Sequence, residues 1–312
     1  MKTVLLAGGT GGAKLAAGFQ AVVGDQLTVI ANTGDDIEIM GVHVSPDPDL
    51  VTWWLSGEID EARGWGIKDD SFRVFERMGR FGAPDWMSLS DLDLAACLYR
   101  REFLSEGGRQ TTAQEQIARG VGATARVLPM SDDPVRTKVM TGGEWKGLQE
   151  FLILEGGLPA VEGVEIEGLA EASPTDEVLE AIGTAELIVI GPSNPVISIG
   201  PILALGGVRE AIVDSSAPVI AVSPYVAGAT VKGPTDNLMR AVGRSTDTRG
   251  VVSLYEGLLD AVICDNADPD PPKDELRCFS TATLMESADS REAVARAVMK
   301  VARTLSETEP RD

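Results

Sequence analysis

The feature that most constrains the fold is the start of the sequence, where an apolar run at Thr3–Ala7 leads directly into glycines. Four of the five residues at positions 8–12 are glycine, and a helix-forming stretch follows them. A second apolar run, Leu27–Ala31, comes next. Strand, helix and strand within so short a segment predict a βαβ unit with parallel strands. The chain therefore begins as an α/β protein.

Later apolar runs extend this interpretation. Three of them are continuous rather than alternating, at 187–190, 219–222 and 261–264. Continuous runs are typical of parallel strands that are buried on both faces. Further strands are predicted at 127–130, 137–141 and 151–154, and helices at 91–104, 112–121 and 290–305.

Residues from about 50 to 125 contain no comparable run and are predicted to form a helical insertion. We therefore predict a single α/β nucleotide-binding domain over residues 1–312. It is Rossmann-like, with a mostly parallel sheet, helices on both faces and the insertion on one side of a cleft.

The charge balance excludes several classes of partner. The chain has 48 acidic and 27 basic residues, a net charge of −21, which disfavours nucleic acid and anionic membrane surfaces. No apolar segment approaches the roughly 18 residues that a membrane helix needs. Three scattered cysteines without a CxxC pair indicate neither a zinc site nor a disulfide framework and fit the cytoplasm. His43, the only histidine, cannot support a multi-histidine metal site.

Four polar loops directly follow predicted parallel strands. They are the glycine loop, "NTGDD" at 32–36, "GPSNP" at 191–195 and "SPY" at 223–225. In an open parallel sheet, ligands bind beyond the carboxyl ends of the strands. We therefore expect these loops to meet at one rim.

The glycine loop has the composition of a phosphate-binding loop, because glycines let backbone N–H groups approach an anion at a helix N-terminus. A tight turn without a ligand is the alternative. The loop is not a Walker A motif, since no GK[ST] follows it. It is not a dinucleotide fingerprint either, because Lys14 occupies the third glycine position counted from Gly9. Lys14 either reaches a phosphate or is a solvated helix residue.

Aspartates form the second chemical feature. Asp35 and Asp36 lie in one loop, and Asp47 and Asp49 lie in the next. Oxygen ligands of this kind suit Mg²⁺, which takes one or two carboxylates together with substrate phosphates. Ordinary turn chemistry in loops rich in glycine and proline is the alternative.

Six motifs together carry a resemblance to a known family. They are "GGTGGAKL", "NTGDDIEIMGVHVSPDPD", "RGWGIKDDSF", "LPMSDDPV", "IGPSNPVISIGPIL" and "KGPTDNLM". In this order they resemble the 2-phospho-L-lactate transferases of deazaflavin coenzyme F-420 biosynthesis. The resemblance implies transfer of 2-phospholactate or phosphoenolpyruvate from a guanosine diphosphate donor to the ribityl hydroxyl of FO, the deazaflavin precursor. GMP would be released, and Mg²⁺ would be required.

The resemblance also implies roles for individual residues. Asp35 and Asp49 would be the catalytic and metal-binding aspartates, and Asp49 would also orient the FO hydroxyl. The nucleotide would be bound by Gly9, Thr10, Gly11, Gly12, Lys14, Gly191, Ser193 and Asn194. The acceptor would be bound, on the side of the insertion, by Asn32, Asp49, Leu92, Met130, Ser131 and Asp132.

One departure from the family pattern concerns the acceptor. The family commonly has Gly-Asp-Arg-Asp where this chain has "SDLD", so Leu92 replaces an arginine associated with FO. We therefore expect weaker FO binding or an altered acceptor, with donor binding unaffected. A nucleotide-sugar-binding regulator of a related family is the main alternative, and a nicotinamide oxidoreductase is a weaker one. The lactyl or enolpyruvyl nature of the donor and the oligomeric state, with a homodimer as one option, stay open.

Overall fold

The computed structural model describes residues 1–274 and 276–308. Its strands, in chain order, are β1 (Thr3–Ala7), β2 (Leu27–Ala31), β3 (Ile37–Ile39), β4 (Val42–Val44), β5 (Arg126–Pro129), β6 (Arg136–Thr141), β7 (Glu144–Gly147), β8 (Gly163–Glu167), β9 (Leu187–Ile190), β10 (Val219–Val222), β11 (Tyr225–Val226), β12 (Ala229–Thr230), β13 (Ala261–Asp265) and β14 (Arg277–Thr281). Its helices are α1 (Gly9–Val23), α2 (Pro46–Ser56), α3 (Arg73–Arg80), α4 (Asp91–Ser105), α5 (Gln110–Gly120), α6 (Leu148–Ile153), α7 (Asp176–Gly183), α8 (Ile199–Ala204), α9 (Val208–Asp214), α10 (Thr235–Ala241), α11 (Thr248–Leu254) and α12 (Ala288–Thr308).

Seven parallel strands form the central sheet in the order β14-β13-β10-β9-β1-β2-β5. The chain moves from β1 to β2 on one side and later returns to β9 on the other side of β1. The strand order therefore reverses beside β1, which is where open α/β sheets form their ligand crevice. The predicted fold class, a mostly parallel sheet with helices on both faces, is confirmed.

Side chains of the central strands alternate between two hydrophobic cores. In β1, Val4 and Leu6 join one core, while Leu5 and Ala7 join the other. Helices α1, α2 and α12 cover the second core, and α7 to α11 cover the first. Because both faces of the strands are buried, every position favours an apolar residue, which explains the continuous runs in the sequence.

The segment between β2 and β5 contributes no strand to the central sheet. It holds the β3–β4 hairpin and helices α2 to α5. Helix α2 packs into the core through Val51, Trp53 and Trp54, whereas α3 buries no residue. The helical part therefore begins a little before the predicted position 50, at Pro46. The predicted domain boundaries stay a prediction.

The strand predicted at 151–154 is wrong, because these residues lie in and just after helix α6. Leu148 and Phe151, three residues apart, are buried on the same side of this helix. The side chain of Glu150 accepts a hydrogen bond from the Gly147 N–H at 3.2 Å and supports the first turn. The short apolar run is compatible with either element, and the tertiary contacts select the helix. Within the described residues, no helix has the length and apolar character needed to cross a membrane.

Candidate active site

A cleft of about 380 Å³ lies beyond the carboxyl ends of β1, β2, β9 and β10. All four loops predicted to meet at one rim contribute to its lining, through Gly8, Asn32, Ser193 and Ser223 among others. The segment after β12, helix α6 and residues 283–285 form the remaining walls. The topology thus brings together loops that are distant in the sequence.

The glycine loop packs closely against the 191–195 loop. A Cβ atom on Gly11 would lie 2.2 Å from the carbonyl oxygen of Pro192, and one on Gly12 would lie 2.4 Å from Ser193 Oγ. Ser193 Oγ in turn accepts a hydrogen bond from the Gly8 N–H at 3.1 Å. Part of the glycine pattern is therefore required by contact between two loops rather than by a ligand. Gly9 differs, because its φ is +60° and its missing side chain faces open space.

Helix α1 presents its N-terminus to the cleft. Gly8, the N-cap residue, has no side chain to satisfy the N–H groups of the first turn, and such groups lack partners within a helix. The Gly9 N–H donates to Asp47 Oδ1 at 2.5 Å, and Thr10 and Gly11 line the cleft. These N–H groups and the helix dipole favour an anion.

Lys14 lies one turn further along α1 and also lines the cleft. Its Nζ lies 5.8 Å from the ring centroid of Trp54. Burial and the nearby Arg291 lower the pKa of Lys14. Arg291 stacks on the same indole at 4.8 Å and pairs with Glu61 of the insertion at 2.9 Å. The cationic side of the cleft is thus held between α1, α12 and the insertion.

Two aspartates of the cleft share one asparagine. Asn32 Nδ2 donates to Asp47 Oδ2 at 3.0 Å and approaches Asp35 Oδ1 at 3.4 Å. Gln149 Nε2 donates to Asp35 Oδ2 at 3.2 Å. Burial, followed by the charge of Asp47, raises the pKa of Asp35 well above its ordinary value. Burial raises the pKa of Asp47 to about 6, although the hydrogen bonds from Asn32 and Gly9 oppose the shift.

This pair of carboxylates is chemically suited to a divalent cation. Two buried like charges disfavour each other, and a cation between them would favour both ionised forms. Within the described residues, no group of three or more His, Cys, Asp or Glu side chains converges on a metal site. Mg²⁺ does not need one, because it is commonly bound by one or two carboxylates with substrate phosphates and water.

Asp49 has a different environment from the one its predicted role requires. It forms a buried ion pair with Arg100, in which Arg100 Nη1 lies 3.1 Å from Asp49 Oδ2 and Nη2 contacts Oδ1. Burial raises the pKa of Asp49, and Arg100 opposes this. Asp49 is not among the residues that line the cleft.

The geometry of α2 explains why the two aspartates of "SPDPD" separate. Both lie in its first turn. Each helix residue is rotated by about 100° from the one before it, so residues two positions apart point to nearly opposite sides of the helix. Asp47 therefore faces the cleft beside Asp35, while Asp49 faces the insertion. The catalytic and metal-binding roles of Asp35 and Asp49 stay predictions.

His43 belongs to a polar cluster with Asp36 and Glu38, next to the pair formed by Asp35 and Asp47. Its two ring nitrogens lie 2.9 Å from Asp36 Oδ2 and 2.5 Å from Glu38 Oε1. Although burial lowers it, these hydrogen bonds and the charge of Asp36 raise the pKa of His43 overall. Gln110 Nε2 donates to Asp36 at 2.7 Å. Asp36 and His43 therefore connect the β3–β4 hairpin to α5.

Most of the predicted nucleotide-binding residues line the cleft. These are Gly9, Thr10, Gly11, Lys14, Ser193 and Asn194. Gly12 and Gly191 lie behind this surface, where the Gly191 N–H donates to the Leu6 carbonyl at 3.0 Å. Asn194 Oδ1 accepts hydrogen bonds from two backbone N–H groups, at 2.9 and 3.1 Å, and shapes the turn before α8.

Of the predicted acceptor-binding residues, only Asn32 lines the cleft. Met130 is fully buried in the core, and Ser131 Oγ donates to a backbone carbonyl at 2.6 Å. Asp132 accepts hydrogen bonds at 2.7 Å from the Thr111 N–H and from an arginine, so it supports the start of α5. Leu92 is 56% exposed at the start of α4. The structure does not bring these residues to the cleft, and their acceptor role stays a prediction.

Asp47, Ser198 and Lys232 line the cleft without having been given an individual role from the sequence. Asp47 belongs to the group of four aspartates whose composition suits Mg²⁺, but only Asp35 and Asp49 were singled out from it. Ser198 and Lys232 lie in "GPSNPVIS" and "KGPTDN", so the motifs that carry the family resemblance also mark them. Neither spacing nor residue type alone could show which members of these motifs face the cleft.

Known structures support the fold. A protein member of the UPF0052 family from Bacillus halodurans superimposes with a TM-score of 0.63 at 18% identity. The alignment covers 95% of this chain and 98% of the other.

Sequence relatives are considerably closer. A phosphoenolpyruvate transferase from Streptomyces griseus is 38% identical over 97% of this chain and 98% of the relative. A 2-phospho-L-lactate transferase from Methanosarcina mazei is 37% identical over 95% and 99%. The family model of 2-phospho-L-lactate transferase CofD matches residues 3–304. Together with the nearly complete alignments, this match shows that the chain belongs to the CofD family of 2-phospho-L-lactate transferases.

Proposed function

We propose that this protein transfers a phospho-three-carbon acid from a guanosine diphosphate donor to the terminal ribityl hydroxyl of FO and releases GMP. Membership of a transferase family supports the reaction class. The observation that carries the proposal is the cleft itself, where a helix N-terminus, two lysines and a pair of carboxylates line one cavity, and one of the carboxylates, Asp47, accepts the Gly9 N–H. This arrangement suits a diphosphate ester and a divalent cation.

The donor diphosphate is proposed to bind at the N-terminus of α1. Backbone N–H groups of Thr10 and Gly11 and the charge of Lys14 supply local positive potential. Such local groups are necessary in a chain of net charge −21. The loop at 191–195 then completes the nucleotide side of the cleft.

Mg²⁺ fits the carboxylate pair, because Asp35 and Asp47 are both buried and both near Asn32. When bound there, the ion would neutralise negative charge on the phosphate groups and make phosphorus more electrophilic. Asn32 orients Asp47, and Gln149 orients Asp35. These hydrogen bonds hold both carboxylates toward the cleft before any ligand binds.

The transfer requires the FO hydroxyl oxygen to attack a phosphorus atom while the bond from that phosphorus to the GMP phosphate oxygen breaks and the hydroxyl proton is released to water. Positioning and charge stabilisation dominate reactions of this type, so the chain does not need a histidine as a base. The cleft also has an apolar wall, formed by Leu148, Leu152 and Val226. We propose that this wall contacts the planar ring of FO.

The decisive experiment is incubation with FO, Mg²⁺ and either the lactyl or the enolpyruvyl guanosine donor, followed by mass spectrometry of the product. Asp35→Asn and Asp47→Asn should each lower turnover by about 10²-fold, the effect of losing one electrostatic stabiliser. Asp289→Asn, at the exposed start of α12, is the control and should retain activity. Normal turnover in both cleft variants would show that these carboxylates are not needed.

The regulator alternative predicts a different ligand. A ligand that binds only the folded state raises the melting temperature by mass action. We expect GDP with Mg²⁺ to do so. Stabilisation by UDP-sugars but not by guanosine nucleotides would favour the regulator.

A further inference from the structure

Lys232 lines the cleft from a different part of the chain than α1. It follows β12 in the stretch Val231–Pro234, which lines the cleft together with the first turn of α1. A Cβ atom on Gly64 would lie 3.5 Å from Lys232 Nζ. The Lys232 ammonium therefore lies beside Gly64 of the insertion, while the residue lines the cleft.

Lys14 and Lys232 line the same cleft. Glu61 and Glu286 are the acidic groups whose charges act on Lys14. Within residues 1–274 and 276–308, neither cleft lysine forms a salt bridge with a carboxylate. The charge of Lys232 is also close enough to Lys14 to contribute to lowering the pKa of Lys14. Two unpaired cations that face one cavity favour a ligand with several negative charges.

We propose that Lys232 is a second phosphate-binding residue, which contacts the donor diphosphate and makes the site prefer a nucleoside diphosphate to a monophosphate. The inference rests on the proposed function for the class of donor. Lys14 and the N–H groups of α1 belong to one element that lines the cleft, and Lys232 belongs to another. A monophosphate bound at α1 has one phosphate to offer, whereas a diphosphate has a second one for Lys232.

Lys232→Gln tests the proposal, because it removes the charge at an exposed position and leaves the packing of the hydrophobic core unchanged. Lys68→Gln is the matched control. Lys68 is also exposed, and its Nζ donates to the Gly57 carbonyl at 2.8 Å, away from the cleft lining. Titration calorimetry with Mg²⁺ would measure the binding of GDP, GMP and inorganic pyrophosphate to all three proteins.

We expect Lys232→Gln to weaken GDP and pyrophosphate binding about tenfold, the lower end for a charged hydrogen bond because the residue is exposed. GMP binding should change less than about twofold. Lys68→Gln should change none of the three. The GDP effect should decrease as ionic strength rises, because the interaction is screened.

The outcomes separate this inference from the proposed donor. Equal losses of GDP and GMP affinity, or no loss in either, would overturn the role of Lys232 and leave the guanosine donor standing. If the wild type binds pyrophosphate, Lys232→Gln weakens that binding and no guanosine nucleotide binds, the phosphate-binding role of Lys232 would stand and the proposed guanosine donor would be overturned. A wild type that binds neither pyrophosphate nor guanosine nucleotides would overturn both.

Discussion

Replacement of Arg100 with Met should strongly destabilise this protein. Arg100 is fully buried and contacts both oxygens of Asp49, Gln114 Oε1 at 2.9 Å and the His43 carbonyl at 3.3 Å. Methionine has a similar length but no charge and no donor. The substitution would leave a buried carboxylate without its counterion and two further acceptors without this donor.

The expected loss in unfolding free energy is about 3–5 kcal/mol, which is typical when one partner of a buried ion pair is removed. Domains have a total stability of about 5–15 kcal/mol, so the loss is a large fraction of the whole. At roughly 2–4 °C per kcal/mol for a large domain, the melting temperature should fall by about 6–20 °C. The pair need not be stabilising relative to an apolar pair, because desolvation offsets much of its attraction.

Urea unfolding of four proteins measures this effect: wild type, Arg100→Met, Asp49→Asn and the double variant. The double variant should be clearly more stable than the sum of the two single losses predicts, because it contains no unpaired charge. Arg101→Met is the control, since Arg101 is exposed on the same helix. An Arg100→Met midpoint equal to that of Arg101→Met would refute the reasoning.

Three further outcomes are expected. The family pattern predicts that Leu92→Arg raises FO affinity about tenfold and leaves guanosine nucleotide affinity unchanged, as titration of each ligand would show; because Leu92 is exposed and does not line the cleft, an unchanged FO affinity would exclude its acceptor role. Hydrogen bonds from Arg109 lower the pKa of Glu177 to about 2. The stability advantage of wild type over Glu177→Gln should therefore be full at neutral pH and should disappear between about pH 4.5 and pH 2, as urea midpoints measured over this range would show. Gly11→Ala places a Cβ 2.2 Å from a backbone oxygen and should lower the melting temperature, whereas Gly120→Ala in α5, with open space around its Cβ, should not.

The central sheet was predictable because burial on both faces leaves a simple signature. The apolar runs of β1, β2, β9, β10 and β13 all became central strands at nearly the predicted positions. The edge strand β14 carries no such signature. Its residues, Arg277–Thr281, are at most half-buried and include polar side chains, so the sequence pattern resembles that of a loop.

The candidate site was predictable as a set of loops but not as a set of side chains. Parallel strands place the loops that follow them on one rim, so "NTGDD" and the glycine loop had to meet. The directions of Asp47 and Asp49 depended on where α2 begins. Pro46 occupies its first position, and this start directs Asp47 to the cleft and Asp49 to Arg100. Arg100 lies fifty-one positions from Asp49 in the sequence, and no local pattern shows that the two would pair.

The strongly acidic composition and the proposed polyanionic donor are compatible because they act over different distances. Charges on the surface are screened beyond about 8–10 Å at ordinary ionic strength, so the net charge contributes little inside the cleft. The N–H groups of α1, Lys14 and Lys232 act at contact distance and in a partly desolvated space, where each interaction is stronger. The carboxylates of Asp35 and Asp47 are then the local groups that would repel the donor, and a divalent cation reverses their effect. Donor affinity should therefore depend on these few groups and on the cation rather than on the total charge of the chain.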